Sequence, residues 1–260
     1  GMAMKNILKI MLMMITIFTI AGSAVYAAEI PVSDQDQLIT SRDWTEISNL
    51  QDEMKKEEPD ATIDYDKALK VYVDCNLIKL QTADTKKLTS ALESANYVWV
   101  IPFKMEKTYG MFTVAKGLPL REEAKSVLTK AEQEEVKNHA GKWMITETAE
   151  HTVEPYYDIL LEKREALSDC TRVVLVGSQP GMRQPVALGM DDETARIWIS
   201  LGYQYPVMEK IPETQNVESG VYSFDSVAEI SDTYIEDSEV STGAGVQSRS
   251  SMKYVAGIGI

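Results

Sequence analysis

The sequence predicts an α+β fold, with helices packed on a mainly antiparallel sheet. Three observations carry that expectation. Short apolar runs with two-residue alternation recur, several of them paired across short turns. The helical segments between them carry recognisable starts and stops. A chain of 260 residues, 44% of them hydrophobic, is long enough to bury a proper core.

Residues 41–57 read as an amphipathic helix with Trp44, Ile47, Leu50 and Met54 on one face. An acidic loop around Pro59 follows. Residues 68–80 read as a strand in which Leu69, Val71, Val73, Cys75 and Leu77 alternate with Lys70, Tyr72, Asp74 and Asn76. A short helix spans 84–94, and strands follow at 97–103 and 109–116. The first of these (YVWVIPF) is apolar on both faces, as a central strand covered on both sides must be. Pro119 opens a long helical stretch with a second start inside it, a capping box of Thr129 and Glu132, and Gly141 closes it. A strand at 143–148, a helix at 155–167 and strands at 172–177, 185–190 and 194–201 complete the series. Pro180-Gly181 suits the centre of a type II turn between two of those strands.

The pattern helix, strand, turn, strand occurs at 84–116 and again at 155–190, each time after a strand. It fits a divergent β-α-β-β duplication. The element order is also similar to that of sensor-like sheets of the PAS or Cache type, in which two strands, helices and three strands share one sheet. The globular domain is expected to span 28–202. From Tyr203 onward acids dominate and apolar residues look scattered, so 203–260 is expected to be a largely disordered acidic stalk, with a short strand at 220–224 docking on the domain.

Residues 1–27 have the layout of an export signal. Lys5 and Lys9 precede an uncharged apolar run at 10–20, and small residues lead to a cut after Ala27. The run is too short to cross a bilayer, which takes about 20 residues; an uncleaved anchor would have to use 10–28. The expected location is secreted or cell-surface. At the other end, 248–260 turns apolar and Gly-rich, as the start of a membrane span would, so contact with the membrane is expected only through the signal segment or through an anchor beyond the C-terminus. Ile211-Pro212-Glu213-Thr214-Gln215 resembles the Leu-Pro-x-Thr-Gly sorting signal of Gram-positive surface proteins but departs from it at both ends, and reads as a loop.

The formal charge is −14, and loss of Lys5 and Lys9 takes it to −16. So negative a field argues against nucleic acid and anionic membrane surfaces as partners. No P-loop and no G-x-G-x-x-G is present, and no cofactor is expected. Glu147, Glu150, His151 and Glu154 cluster without any zinc spacing, and Asp191-Asp192-Glu193 lacks the ligand alternation of a calcium loop, so no metal is expected either. Gly177-Ser178-Gln179-Pro180-Gly181 follows an apolar strand but does not match G-x-S-x-G.

Two cysteines in an exported chain permit a Cys75–Cys170 disulfide, worth about 4–5 kcal/mol by loop entropy. The catalytic alternative makes Cys75 a nucleophile with His139 and His151 as base and orienting group. Its order, Cys then His then a polar residue, resembles that of secreted papain-like cell-wall endopeptidases, although their cysteine opens a helix and Cys75 lies in an alternating strand after Asp74. On the strand at 194–201, Trp198 and Arg196 point away from Ala195, Ile197, Ile199 and Leu201, which nominates the pair as a contact site if that side faces solvent. The expected function is a non-catalytic binding or sensing domain for an extracellular or envelope ligand. A cell-envelope hydrolase built on Cys75 and a structural envelope spacer are the alternatives.

Overall fold

The computed structural model describes residues 29–235. The chain is α+β, and all nine of its described strands join one mostly antiparallel sheet in the order β5-β4-β3-β2-β6-β7-β8-β9, with β1 paired to β3. The strands are β1 (Thr62–Ile63), β2 (Leu69–Tyr72), β3 (Tyr97–Lys104), β4 (Tyr109–Lys116), β5 (Trp143–Thr152), β6 (Arg172–Val176), β7 (Val186–Met190), β8 (Ala195–Ser200) and β9 (Val221–Ser223). The helices are α1 (Trp44–Ile47), α2 (Gln51–Glu57), α3 (Thr85–Glu93), α4 (Lys130–His139), α5 (Tyr156–Glu162), α6 (Pro206–Glu209) and α7 (Phe224–Ile235).

Two antiparallel meanders run outward from the middle of the sheet, β3-β4-β5 on one side and β6-β7-β8-β9 on the other, and β2 sits between them. Its pairing with β6 is parallel, Val71 opposite Leu175 and Tyr72 opposite Val176. Each meander is preceded by a helix, so the unit seen twice in the sequence is present twice in space. The two helices nevertheless lie on opposite faces. α5 packs Tyr156, Ile159 and Leu160 on the face that carries Leu69, Val71, Val98 and Val173, whereas α3 packs Leu88 and Leu92 on the face that carries Tyr72, Val174 and Trp198. A rotation that carried β3-β4 onto β6-β7 would preserve the face of the sheet, so the two units are not superposable copies. The sheet is also larger than the five strands of the sensor-like arrangement.

Local signals account for most elements. Asp84 caps α3 by accepting from the Lys87 amide at 2.9 Å. Thr129 and Glu132 form the expected capping box, and Gly141 ends that region at φ +74°. The stretch from Pro119 holds only a 3₁₀ segment before that second start. Gly181 takes φ +70°, and the Met182 amide donates to the Gln179 carbonyl, which closes the Pro180-Gly181 turn. β3 is buried along nearly its whole length, as its two apolar faces require.

Two expectations are corrected. The strand expected at 68–80 ends at Tyr72, because Asp74 turns the backbone at φ +52°. Leu77 then enters a core on the other face from Leu69 and Val71. The region expected to begin the stalk folds instead as far as Ile235: α6, β9 and α7 bury Val207, Met208, Ile211, Val221, Phe224 and Val227. Phe224, Val227 and Ser231 recur at helical spacing, a pattern hidden by the acids around them. The signal segment and residues 236–260 lie outside the described residues. Among the described residues, no helix is long and apolar enough to cross a membrane.

Candidate functional site

One face of the sheet is covered from two directions. The N-terminal segment with α1 and α2 packs Leu38, Ile47 and Met54 on Trp99, Ile101 and Phe103, while α3, α6 and α7 cover β6, β7 and β8. Where the two covers part, an open cleft of about 440 Å³ reaches the sheet at β2 and the start of β3. This volume falls in the range of small-molecule sites. Leu92 and Ala95, at the end of α3, form an apolar wall, and Asp34 and Glu93 also line the cleft.

Strand alternation sets the floor. Leu69 and Val71 enter the opposite core, so Lys70 and Tyr72 must point into the cleft, where Trp99 and Tyr97 stand directly across in register. Lys70 is 9% exposed, a rare placement for a lysine on a central strand. Its Nζ lies 4.1 Å from the Tyr97 ring centroid, 5.3 Å from Trp99 and 5.5 Å from Tyr72. Cation–π attraction to three rings tolerates the ammonium there. Among the described residues, no oxygen is hydrogen-bonded or ion-paired to it.

The rings are themselves held by carboxylates. Tyr72 donates its hydroxyl proton to Asp36 at 2.7 Å, and Tyr97 and Trp99 both donate to Asp43 Oδ2, at 2.7 and 3.0 Å. Phenol and indole groups donating to a carboxylate gain ring electron density, which deepens their attraction for the ammonium. Asp36, 3% exposed, also takes Arg172 Nε and Nη2 at 3.1 and 2.9 Å and the Ser33 hydroxyl at 2.7 Å. Arg42 Nε lies 3.9 Å from Asp43. Burial lowers the Lys70 pKa, with Arg42 and Arg172 acting in the same direction and Asp36 and Asp43 opposing. Burial and the Asp43 hydrogen bond push the Tyr97 hydroxyl up to about 12. Asp36 is thus filled by protein donors, whereas among the described residues the ammonium has no bonded acceptor.

None of these residues stood out as a site in the sequence. They come from positions as far apart as Asp36 and Arg172, joined only by the parallel pairing of β2 with β6. The one local signal was Lys70 and Tyr72 on a strand beside the doubly covered β3.

The residues nominated from the sequence lie elsewhere. Trp198 is fully buried and stacks on Phe224 of α7, ring centroids 5.6 Å apart and planes at 15°, so it belongs to the core and not to a contact surface. Arg196 is exposed and pairs with Asp191 at 2.7 Å. Cys75 and Cys170 are free thiols on opposite faces of the sheet, so the pairing that the sequence permits is not made. Burial raises both thiol pKa values, Cys170 to about 11, and Asp74 raises that of Cys75 further. His139 closes α4 with Nδ1 2.7 Å from the Glu135 carbonyl, beside the β4–β5 edge. His151 lies on β5, three strand spacings or about 14 Å from β2 and at the opposite end of the sheet from Cys75. The structure therefore does not bring Cys75, His139 and His151 together. Ser178 takes φ +60° and is buried. Among the described residues no group of three His, Cys, Asp or Glu side chains is placed to hold a metal ion.

A second perturbed group lies apart from the cleft. Glu147 of β5 has a buried Oε2 with no hydrogen-bond partner among the described residues, and burial raises its pKa to about 7. In comparisons with known proteins, the chain matches no family model, no curated protein and no solved structure.

Proposed function

We propose that this chain is a secreted or cell-surface domain that binds or senses a small ligand in the cleft over β2 without transforming it. One observation carries the reading: a buried lysine, Lys70, stands at the floor of an open cleft with aromatic rings around its Nζ and, among the described residues, no oxygen bonded to it. Stability alone is a poor reason for such a group, since an apolar side chain of similar volume avoids its desolvation cost. The export-like segment at 1–27 supports a role outside the cytoplasm.

The alternatives are less well supported. A hydrolase needs a depressed thiol pKa and its full set of partners at hand, whereas the Cys75 thiol is raised and His151 lies at the far end of the sheet. A spacer accounts for the large sheet but gives no reason for the cleft.

The test is thermal denaturation of the full chain with fractionated small molecules from the medium of the expressing cells, against a variant with the cleft filled, Ala95→Trp. A ligand at about a hundred times its Kd adds about 2.7 kcal/mol, a rise of several degrees for a domain of this size. At least one fraction should produce that rise in the wild type and leave Ala95→Trp unmoved. Equal shifts in both proteins, or no shift with any fraction, reject the proposal.

A further inference from the structure

We infer that the cleft takes a small organic monocarboxylate, its carboxylate on Lys70 Nζ and its carbon body along Leu92 and Ala95. The inference rests on the binding reading above and adds the chemistry of the ligand.

The donor inventory identifies the head group. An ammonium carries three donors and no acceptor, and Lys70 spends none of them on a protein oxygen among the described residues. Arg172 spends Nε and Nη2 on Asp36 and Tyr72, and Nη1 makes no hydrogen bond to a described residue. The acceptors beside it are turned to the protein: Asp36 receives Tyr72, Ser33 and Arg172, and Asp43 Oδ2 receives Tyr97 and Trp99. An acceptor-bearing ligand supplies what the ammonium lacks; a donor-bearing one leaves all three of its donors unmet.

Charge sets the valence. Arg172 is matched by Asp36, and Arg42 lies against Asp43, which leaves the Lys70 charge without a bonded counter-ion. One negative charge balances it. A dianion would leave a second charge facing Asp34 and Glu93, in a chain already strongly negative. Size and lining then exclude a bare inorganic ion: about 440 Å³ far exceeds one, and Leu92 and Ala95 offer carbon rather than donors.

The experiment is isothermal titration of the full chain with acetate, butyrate, hexanoate and benzoate, beside their uncharged amides, butylammonium and inorganic phosphate. At least one carboxylate should bind with a Kd of about 1 mM or tighter, and its amide at least about 30-fold more weakly. Lys70→Met should cost a similar factor while melting no lower than wild type. The amide comparison uses wild-type protein, so the test holds even if that variant fails to fold. Amides, butylammonium or phosphate binding as tightly as the carboxylates, with Ala95→Trp blocking them, overturns the carboxylate inference and leaves the binding reading standing. No binding by any of the carboxylates overturns it too, and the response to the medium fractions then decides whether the binding reading falls with it.

Discussion

Glu147 shows what a single unpartnered group does to a stability profile. Its Oε2 is buried without a hydrogen bond, and burial raises its pKa to about 7 from an ordinary 4.5. A folded-state pKa above the unfolded value means that the folded chain holds the proton longer. The stabilisation is complete below about pH 4.5 and is lost as pH rises through about 7. Glu147→Gln removes the charge without changing the shape. It should match wild type near pH 4 and exceed it by about 1–2 kcal/mol at pH 8, measured by urea denaturation across that range. A constant difference between the two proteins would mean that Glu147 is solvated in the folded state. Lys70 presents the opposite case: it too is buried without an oxygen partner among the described residues, but it faces an open cleft in which a ligand can supply one.

Among the elements, α7 shows why some of the fold was legible in the sequence and some was not. β3 could be placed at the centre because both of its faces are written in its own eight residues. The capping box at Thr129 was equally local. Trp198 was not, because whether its side of β8 faces water depends on a helix whose apolar positions are separated by acids and whose composition resembles a stalk. The cleft was least legible of all, since it exists only where two covers from distant parts of the chain fail to meet. If α7 is integral to the domain, Phe224→Ala should cost about 3–4 kcal/mol in denaturant unfolding, because it opens a cavity against Trp198 and removes a stacked pair. A stalk residue would change stability by no more than about 0.5 kcal/mol. The size of the loss therefore separates the two descriptions.

At the scale of the molecule, the question is what makes two outward meanders one body. The parallel contact of β2 with β6 has only two registered pairs. One core spans the junction, running from Val98, Val100 and Met111 to Val173, Ala187 and Ile197 beneath α5. The N-terminal segment acts as a strap that starts in this core at Ile30 and crosses to the other face. It packs Leu38 against β3's side of the sheet, accepts from the Val173 amide through the Pro31 carbonyl, and inserts Asp36 between Arg172 of β6 and Tyr72 of β2. Asp36 is 3% exposed, so the pair is a buried one whose breaking leaves a charge without its partner. Arg172→Met should therefore cost about 3–5 kcal/mol, far more than an exposed pair such as Arg196–Asp191. Adding Asp36→Asn should recover much of that loss, because the stranded charge is then gone. If the shared core binds the halves, each variant should unfold in a single transition with coincident fluorescence and far-UV signals. Two separated transitions in Arg172→Met would instead show that the strap, and not the core, joins the meanders. The cleft would then lie over a hinge, and ligand binding would be expected to raise the midpoint of one transition more than the other.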